Sequence, residues 1–227
     1  MNTWVKVARF NLERRVNYLV LPWILPLAFA AGAVTSGRAP GHNATGYLLS
    51  FFIFFVVQGW QSIGQSLPFG LTLGASRRSF YFGTALLGMA LALVSGLVLA
   101  ALQAIERATG GWGLSIHFFR VPYLLNGPWY ATWLTSAVVL FALFAYGMWY
   151  GILWSRWGLL GTLAFIAVQA LVVVAAVVVV AFEHWHVRSA AGGPYAGLTA
   201  LGVTGVIAAL TVLLLAGGHA TIRRTAV

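Results

Sequence analysis

The sequence predicts an all-α membrane protein with six transmembrane helices, an N-terminal amphipathic helix at the membrane interface, and both termini in the cytoplasm. Of its 227 residues, 61% are hydrophobic and only 7% are charged, which is more apolar surface than a soluble domain of this length needs. The apolar residues form six runs, each near the ~20 residues that cross a ~30 Å hydrocarbon core as a helix. We place the spans at residues 16–34, 47–67, 80–105, 129–153, 158–182 and 196–218. They form one membrane domain, residues 16–227, behind an interfacial helix at residues 1–15.

The stretch before the first span predicts a helix that lies flat in the membrane interface, apolar side down. Its apolar face carries Trp4, Val5, Ala8 and Leu12, and its charged face carries Lys6, Arg9 and Glu13. The alternative is a solvated basic leader that only sets topology. The first span contains Pro22 and Pro26, which predict a kink. A cleavable secretion signal is the alternative for this region, and it would leave five spans and an external N-terminus.

The positive charge is distributed unevenly between the two sides of the predicted membrane domain. The formal net charge is +10. One side holds Lys6, Arg9, Arg14, Arg15, Arg77, Arg78, Arg156, Arg223 and Arg224, and the other side holds Arg38, Arg107, Arg120 and Arg188. The positive-inside rule places the first side in the cytoplasm. We therefore predict a multi-pass membrane protein, N-in and C-in, whose charge sets its topology and requires no nucleic acid.

The second span carries a polar stripe. Its members lie three or four residues apart on one helix face: Gln58, Gln61, Ser62 and Gln65. Lipid offers these side chains no hydrogen-bond partners, so they must face protein or water. The stripe predicts a substrate pathway or a subunit interface, and the alternative is a set of interhelical hydrogen bonds that only hold the bundle together. Gln169 of the fifth span, on one face with Thr162, is expected to meet this stripe.

Two smaller patterns mark the fourth span. Thr132, Thr135 and Ser136 form a polar face near its outer end. Gly147 and Gly151 have the small-xxx-small spacing that permits close helix approach. Before this span, the outer loop at residues 106–128 is rich in aromatic residues. We expect that loop to lie at the membrane interface or to cap the bundle.

No motif in the chain supplies chemistry of its own. There is no cysteine, which excludes disulfides and thiol catalysis. There is no P-loop, no nucleophile elbow and no cluster of metal-ligating residues. None of the six spans carries a charge near its centre, where ion-driven pumps keep one. We therefore predict no catalytic residues, no metal site and no cofactor in this chain, and any transport must draw its energy from another protein.

The joint between the second and third spans carries the most specific pattern. Residues 73–80 read Leu-Gly-Ala-Ser-Arg-Arg-Ser-Phe, which strongly resembles the inner loop of permease (transmembrane) subunits of bacterial ATP-binding-cassette exporters of the type-2 permease family. The six spans, the amphipathic leader and the cytoplasmic termini match that family in layout. The resemblance implies a separate P-loop ATPase that holds ATP and Mg, and a second permease subunit, identical or a paralogue.

The same resemblance implies that this joint docks in a groove on the ATPase. The residues carried over to that contact are Phe69, Leu71, Arg77, Arg78 and Phe80. Arginines pair with carboxylates on a partner, and apolar side chains fill its groove. The alternative is that Arg77 and Arg78 only set topology.

The predicted function is that of the permease subunit of an ATP-driven exporter, which is not itself an enzyme. Its cargo would be amphipathic or hydrophobic, such as a drug, a lipid or a peptide, because the predicted cavity has apolar walls and a few amides. That cavity would be lined by Gln58, Gln61, Ser62, Gln65 and Gln169. The alternative is a non-transporting membrane scaffold, an immunity factor or an intramembrane enzyme. It predicts no ATPase partner and tolerance of charge reversal at Arg77 and Arg78.

Overall fold

The computed structural model describes residues 23–24, 46–66, 76–110, 129–186 and 200–223. Within these ranges the regular structure is helical, which confirms the all-α prediction for this part of the chain. The helices are α1 (Gly46–Gly64), α2 (Arg77–Ala108), α3 (Trp129–His186) and α4 (Ala200–Arg223). The predicted interfacial helix, nearly all of the first span, Phe69, Leu71 and most of the aromatic outer loop lie outside the described residues.

Three of these helices are long and apolar enough to cross a membrane: α2, residues Trp129–Leu171 of α3, and residues Thr204–Thr221 of α4. The apolar stretch of α1, Leu49–Gly64, is shorter. A helix rises ~1.5 Å per residue, so the 32 residues of α2 extend about 48 Å, well beyond a ~30 Å hydrocarbon core. The chain is therefore a membrane protein in its architecture.

The 58-residue α3 is interrupted at Gly158, where φ is 62° and ψ is −155°. Only glycine adopts this backbone conformation readily. Across the break, the Tyr146 hydroxyl donates to Oε1 of Gln169 at 2.6 Å, and the Tyr150 ring lies 5.6 Å from the Phe165 ring. Such contacts between residues at similar distances before and after Gly158 require the chain to fold back on itself.

Helix α3 is thus a hairpin of two antiparallel halves, which we call α3a (residues 129–157) and α3b (residues 159–186). The sequence predicted two spans here with a polar joint at residues 154–157. The two helices are confirmed, but the joint is wrong in form. Residues 154–157 are helical, and the single residue Gly158 makes the turn.

The helix ends meet in two groups. The Tyr81 hydroxyl, near the start of α2, donates to the Leu215 carbonyl oxygen at 2.9 Å. The Trp149 indole N–H, near the end of α3a, donates to the Leu214 carbonyl oxygen at 2.7 Å. The start of α2 therefore lies beside the ends of α3a and α4, and we call this the basic end. It carries Arg77, Arg78 and Arg156, and α4 ends there at Arg223. The end of α2 and the start of α3a form the opposite end.

Helix α3a is the centre of the bundle, because α1, α2 and α4 all pack against it. Its contact with α1 brings two backbones together. A Cβ atom added at Gly147 would lie 2.0 Å from the Val56 carbonyl oxygen, and one added at Gly59 would lie 2.1 Å from the Phe144 carbonyl oxygen. Gly151 faces Gly64 in the same way. The spacing of Gly147 and Gly151, which permits close helix approach, lies at this contact.

The contact between α2 and α3a combines glycines with large rings. Gly88 lies against the Phe144 ring, and Gly96 lies against the backbone of Ala137. The buried positions of α2 recur every three or four residues along one face, as expected for an amphipathic contact. The largest fully buried side chains of the core are Phe51, Phe55, Phe80, Phe144, Ile63, Leu140, Met148 and Ile152, together with Tyr81.

Candidate functional site

The basic end is built around the first turn of α2. Ser76 is the N-cap, with extended backbone angles, and its hydroxyl oxygen accepts the Ser79 backbone N–H at 3.1 Å. Its carbonyl oxygen accepts the Phe80 backbone N–H at 2.9 Å. A serine in this position satisfies one of the N–H groups that a helix start leaves without a partner. The predicted joint therefore ends at Ser76, and Arg77 and Arg78 belong to the helix.

Two arginines in the first turn oppose the helix dipole. The first turn of α2 contains no acidic residue, although the N-terminus of a helix carries partial positive charge and favours Asp and Glu. The Arg78 side chain is exposed, and its guanidinium carbon lies 5.9 Å from the centre of the Phe82 ring. The helix dipole therefore does not favour this placement.

The predicted coupling residues have different environments. Arg77 is half-buried and Arg78 is exposed, whereas Phe80 is only 1% exposed. A ring so deeply buried fills the core of this chain, so Phe80 anchors the start of α2 and is not available to a groove on a partner. Phe69 and Leu71 lie outside the described residues.

The start of α2 is fastened to α4 by aromatic residues. In addition to the hydrogen bond from Tyr81 to the Leu215 carbonyl oxygen, the His219 ring lies 5.8 Å from the Tyr81 ring and 5.1 Å from the Phe82 ring. The hydroxyl of Tyr81 approaches Gly218 so closely that an added Cβ would lie 2.6 Å from it. A displacement of the first turn of α2 would therefore act directly on α4.

The polar stripe of α1 divides into two parts. Gln58 and Ser62 are buried inside the bundle, and the Ser62 hydroxyl donates to the Gln58 carbonyl oxygen at 2.7 Å. Gln61 is half-buried and Gln65, past the end of α1, is exposed. The shared face predicted from spacing thus runs from the core toward the basic end.

Gln169 lies elsewhere than expected. Its Oε1 accepts hydrogen bonds from the hydroxyls of Tyr146 and Tyr150, whose rings are 5.0 Å apart. Its hydrogen bonds therefore go to α3a, and the structure does not join it to the stripe of α1. We call this contact of Gln169 with Tyr146 and Tyr150 the clasp. The sequence pattern that could have indicated it is the i, i+4 spacing of the two tyrosines, which lie about as far before Gly158 as Gln169 lies after it.

A polar group at the opposite end was missed by sequence reasoning. Helix α2 continues to Ala108, about one turn beyond the predicted end at residue 105, and so includes Glu106. Gln103 and Glu106 are both 2% exposed and lie on its buried face. Thr132 and Ser136 of α3a are buried at the same end, and the hydroxyls of Thr135 and Thr204 lie 2.9 Å apart. The polar face predicted near the start of the fourth span is therefore internal and connects α3a to α4.

The described side chains offer hydrogen bonds and positive charge. In this part of the chain no three His, Cys, Asp or Glu side chains lie together as metal ligands would. The arrangement can bind a polar or charged partner at the basic end and can hold helices in register through buried amides and hydroxyls. Comparisons with protein-family models, with curated proteins and with solved structures found no match.

Proposed function

We propose that this chain is the membrane-spanning permease subunit of an ATP-driven exporter in the bacterial cytoplasmic membrane. A separate P-loop ATPase would bind ATP and Mg and supply the energy, and a second permease subunit would complete the pathway. The cargo is amphipathic or hydrophobic, in the class of drugs, lipids and peptides. The resemblance of residues 73–80 to the inner loop of such permeases is the starting point.

The helical hairpin of α3 supports six membrane passes. In this proposal α1, α2, α3a, α3b and α4 would each cross the membrane once, and the helical residues Trp23 and Ile24 would belong to a sixth pass. The arginines of the basic end favour a cytoplasmic position for that end under the positive-inside rule. Both termini are then cytoplasmic, as the even number of passes requires.

The placement of Arg77 and Arg78 is the observation that carries the proposal. They occupy the first turn of α2 with no acidic neighbour there, and a carboxylate-bearing surface on an ATPase would offset their unfavourable interaction with the helix dipole. Phe80 and Tyr81, immediately after them, are buried in the core. A push on the arginines would therefore move a rigid element.

The movement has a path into the bundle. Tyr81 and His219 link the start of α2 to α4, and Trp149 links α4 to the central α3a. Gln58 and Ser62 are buried inside the bundle, so in this proposal cargo would contact them only after the helices have moved. Closure of the ATPase pair would shift these helices and alternate the access of the cavity.

The test is co-purification of the tagged protein from its own host in mild detergent, with identification of any P-loop ATPase by mass spectrometry and assay of ATP hydrolysis. The decisive variant is Arg77→Gln combined with Arg78→Gln. We expect it to lose the ATPase while its thermal unfolding is unchanged or slightly raised, because removal of each positive charge relieves ~0.3–1 kcal/mol of helix-dipole repulsion.

Arg156→Gln is the matched control, since Arg156 is also an exposed arginine at the basic end and lies 5.0 Å from the Trp157 ring. It should retain the ATPase. Loss of the ATPase in both variants would reduce the effect to general charge and remove the coupling role of α2. A stable preparation without any ATPase would support the scaffold, immunity-factor or enzyme alternative.

A further inference from the structure

A cleft of about 380 Å³ lies at the opposite end of the bundle, between the last turns of α2 and the first turn of α3a. Its floor is formed by Ala100, Ala104 and Ala108, each one turn from the next. Trp129 forms a wall and is 65% exposed. These residues provide an apolar trough with an aromatic side.

The rest of the lining is polar. Gln103 and Thr132, both almost completely buried, contribute to the inner wall, and the exposed Arg107 lies at the rim. Glu106, the nearest carboxylate in sequence, is buried and does not line the cleft. The cleft therefore offers positive charge at its mouth, hydrogen-bonding groups inside, and methyl groups along its floor.

The depth of the cleft in a membrane follows from the length of α2. At about 48 Å, the helix exceeds a ~30 Å hydrocarbon core by roughly 9 Å at each end if it is centred. About six residues at the end of α2, from Gln103 to Ala108, then lie at the depth of the lipid headgroups, and Ala100 lies just inside the hydrocarbon core. An exposed tryptophan is typical of this layer.

We propose that this cleft binds one anionic phospholipid. Arg107 pairs with the phosphate, since a guanidinium matches phosphate geometry with two parallel hydrogen bonds. Gln103 and Thr132 bond to the polar part of the headgroup, and the upper acyl chain lies over the alanines against Trp129. The occupant is lipid because the site joins charge to an apolar trough at headgroup depth. This site is independent of the proposed ATPase contact at the basic end.

The test is native mass spectrometry of the purified full chain in mild detergent, titrated with phosphatidylglycerol or with phosphatidylcholine. Arg107→Gln should weaken phosphatidylglycerol binding about fivefold, the factor that corresponds to ~1 kcal/mol for one basic group, and should leave phosphatidylcholine unchanged. Arg156→Gln, an exposed arginine at the other end, should leave both unchanged. A phosphatidylglycerol preference that survives Arg107→Gln would overturn the proposal.

A matched pair of variants tests whether the shape of the cleft is needed for binding. Ala104→Leu fills the trough and should weaken binding of both lipids severalfold, whereas Ala101→Leu, also exposed on α2 but outside the cleft, should not. Equal loss in both variants, or loss in neither, would mean that lipid coats the helix without a defined site. Thermal unfolding of each variant shows whether it is folded.

A competition experiment distinguishes binding of a whole lipid from binding of a soluble phosphate compound. Short-chain phosphatidylglycerol should displace the bound lipid, and glycerol 3-phosphate, which lacks acyl chains, should fail to do so at the same concentration. Displacement by glycerol 3-phosphate alone would identify a soluble phosphate site and overturn the assignment to lipid.

Discussion

Helices α3a and α3b are consecutive, similarly apolar and separated by a single residue, yet their surroundings differ. In α3a, Leu140, Phe144 and Met148 are fully buried. In the part of α3b whose side chains are described, Leu160 is 81% exposed and Leu171 is 70% exposed. Hydrophobicity does not separate the two, because lipid is as apolar as leucine and a leucine satisfies either neighbour.

What separates the two halves is the means of contact. Helix α3a meets α1 through Gly59, Gly147 and Gly151, where the backbones touch. Helix α3b is fastened by polar groups, with Gln169 accepting from Tyr146 and Tyr150. The glycines allow van der Waals contact along much of the α1–α3a interface, which we call the seam. The clasp joins α3a and α3b at a single position along their length. Close backbone contacts at glycines, and not apolarity, therefore distinguish α3a from α3b.

Substitutions in the α1–α3a seam should reduce the free energy of unfolding the most. Gly147→Ala places a methyl group where the Val56 carbonyl oxygen lies 2.0 Å away, so the helices must separate, at about 2–3 kcal/mol of unfolding free energy. Gly205→Ala is the control, because a Cβ there meets nothing within 4 Å. Unfolding by denaturing detergent measures both. Equal tolerance of the two substitutions would show that the α1–α3a contact is looser than described.

Substitution of the turn residue Gly158 should cause the next largest loss of stability. Gly158→Ala puts a side chain at φ 62° and ψ −155°, a region that costs a non-glycine residue about 1–3 kcal/mol. A Cβ at Gly158 meets no atom within 4 Å, so any loss comes from the backbone alone. Cross-linking between α3a and α3b, at cysteines introduced near positions 150 and 165, should decrease in the variant. Unchanged cross-linking and stability would contradict the one-residue turn.

Substitution of Gln169 in the clasp should cause the smallest loss of stability. Gln169→Leu removes the acceptor of two tyrosine hydroxyls and should cost about 1 kcal/mol, near the range measured for hydrogen bonds between membrane helices. In this variant, hydrogen exchange of the backbone amides should become faster in α3b and stay unchanged in α3a. If Tyr146→Phe combined with Tyr150→Phe has no effect on a protein that already carries Gln169→Leu, the three residues act as one unit. An additive loss would show that the tyrosines have other partners.

Several elements could be predicted from local patterns. The apolar runs predicted α1, α2 and α4 to within a few residues, and the spacing of Gly147 and Gly151 permits a close contact. The partners of polar groups were less accessible. Gln169 was expected at the stripe of α1 but bonds to α3a, because identical amides can pair wherever the helices place them. Phe80 was assigned to a partner surface and is buried, since an aromatic residue beside arginines fits either role.

The amino-acid sequence alone indicates a membrane environment, because its apolar runs have the length and composition of membrane-spanning helices. The third span was predicted to begin at residue 80, whereas α2 begins at Arg77, after the N-cap Ser76. The packing of the helices was needed to identify the central helix, the turn at Gly158, and the burial of Glu106 and Gln103. These depend on contacts between residues far apart in the chain, and a helix pattern records which face is apolar but not which neighbour covers it.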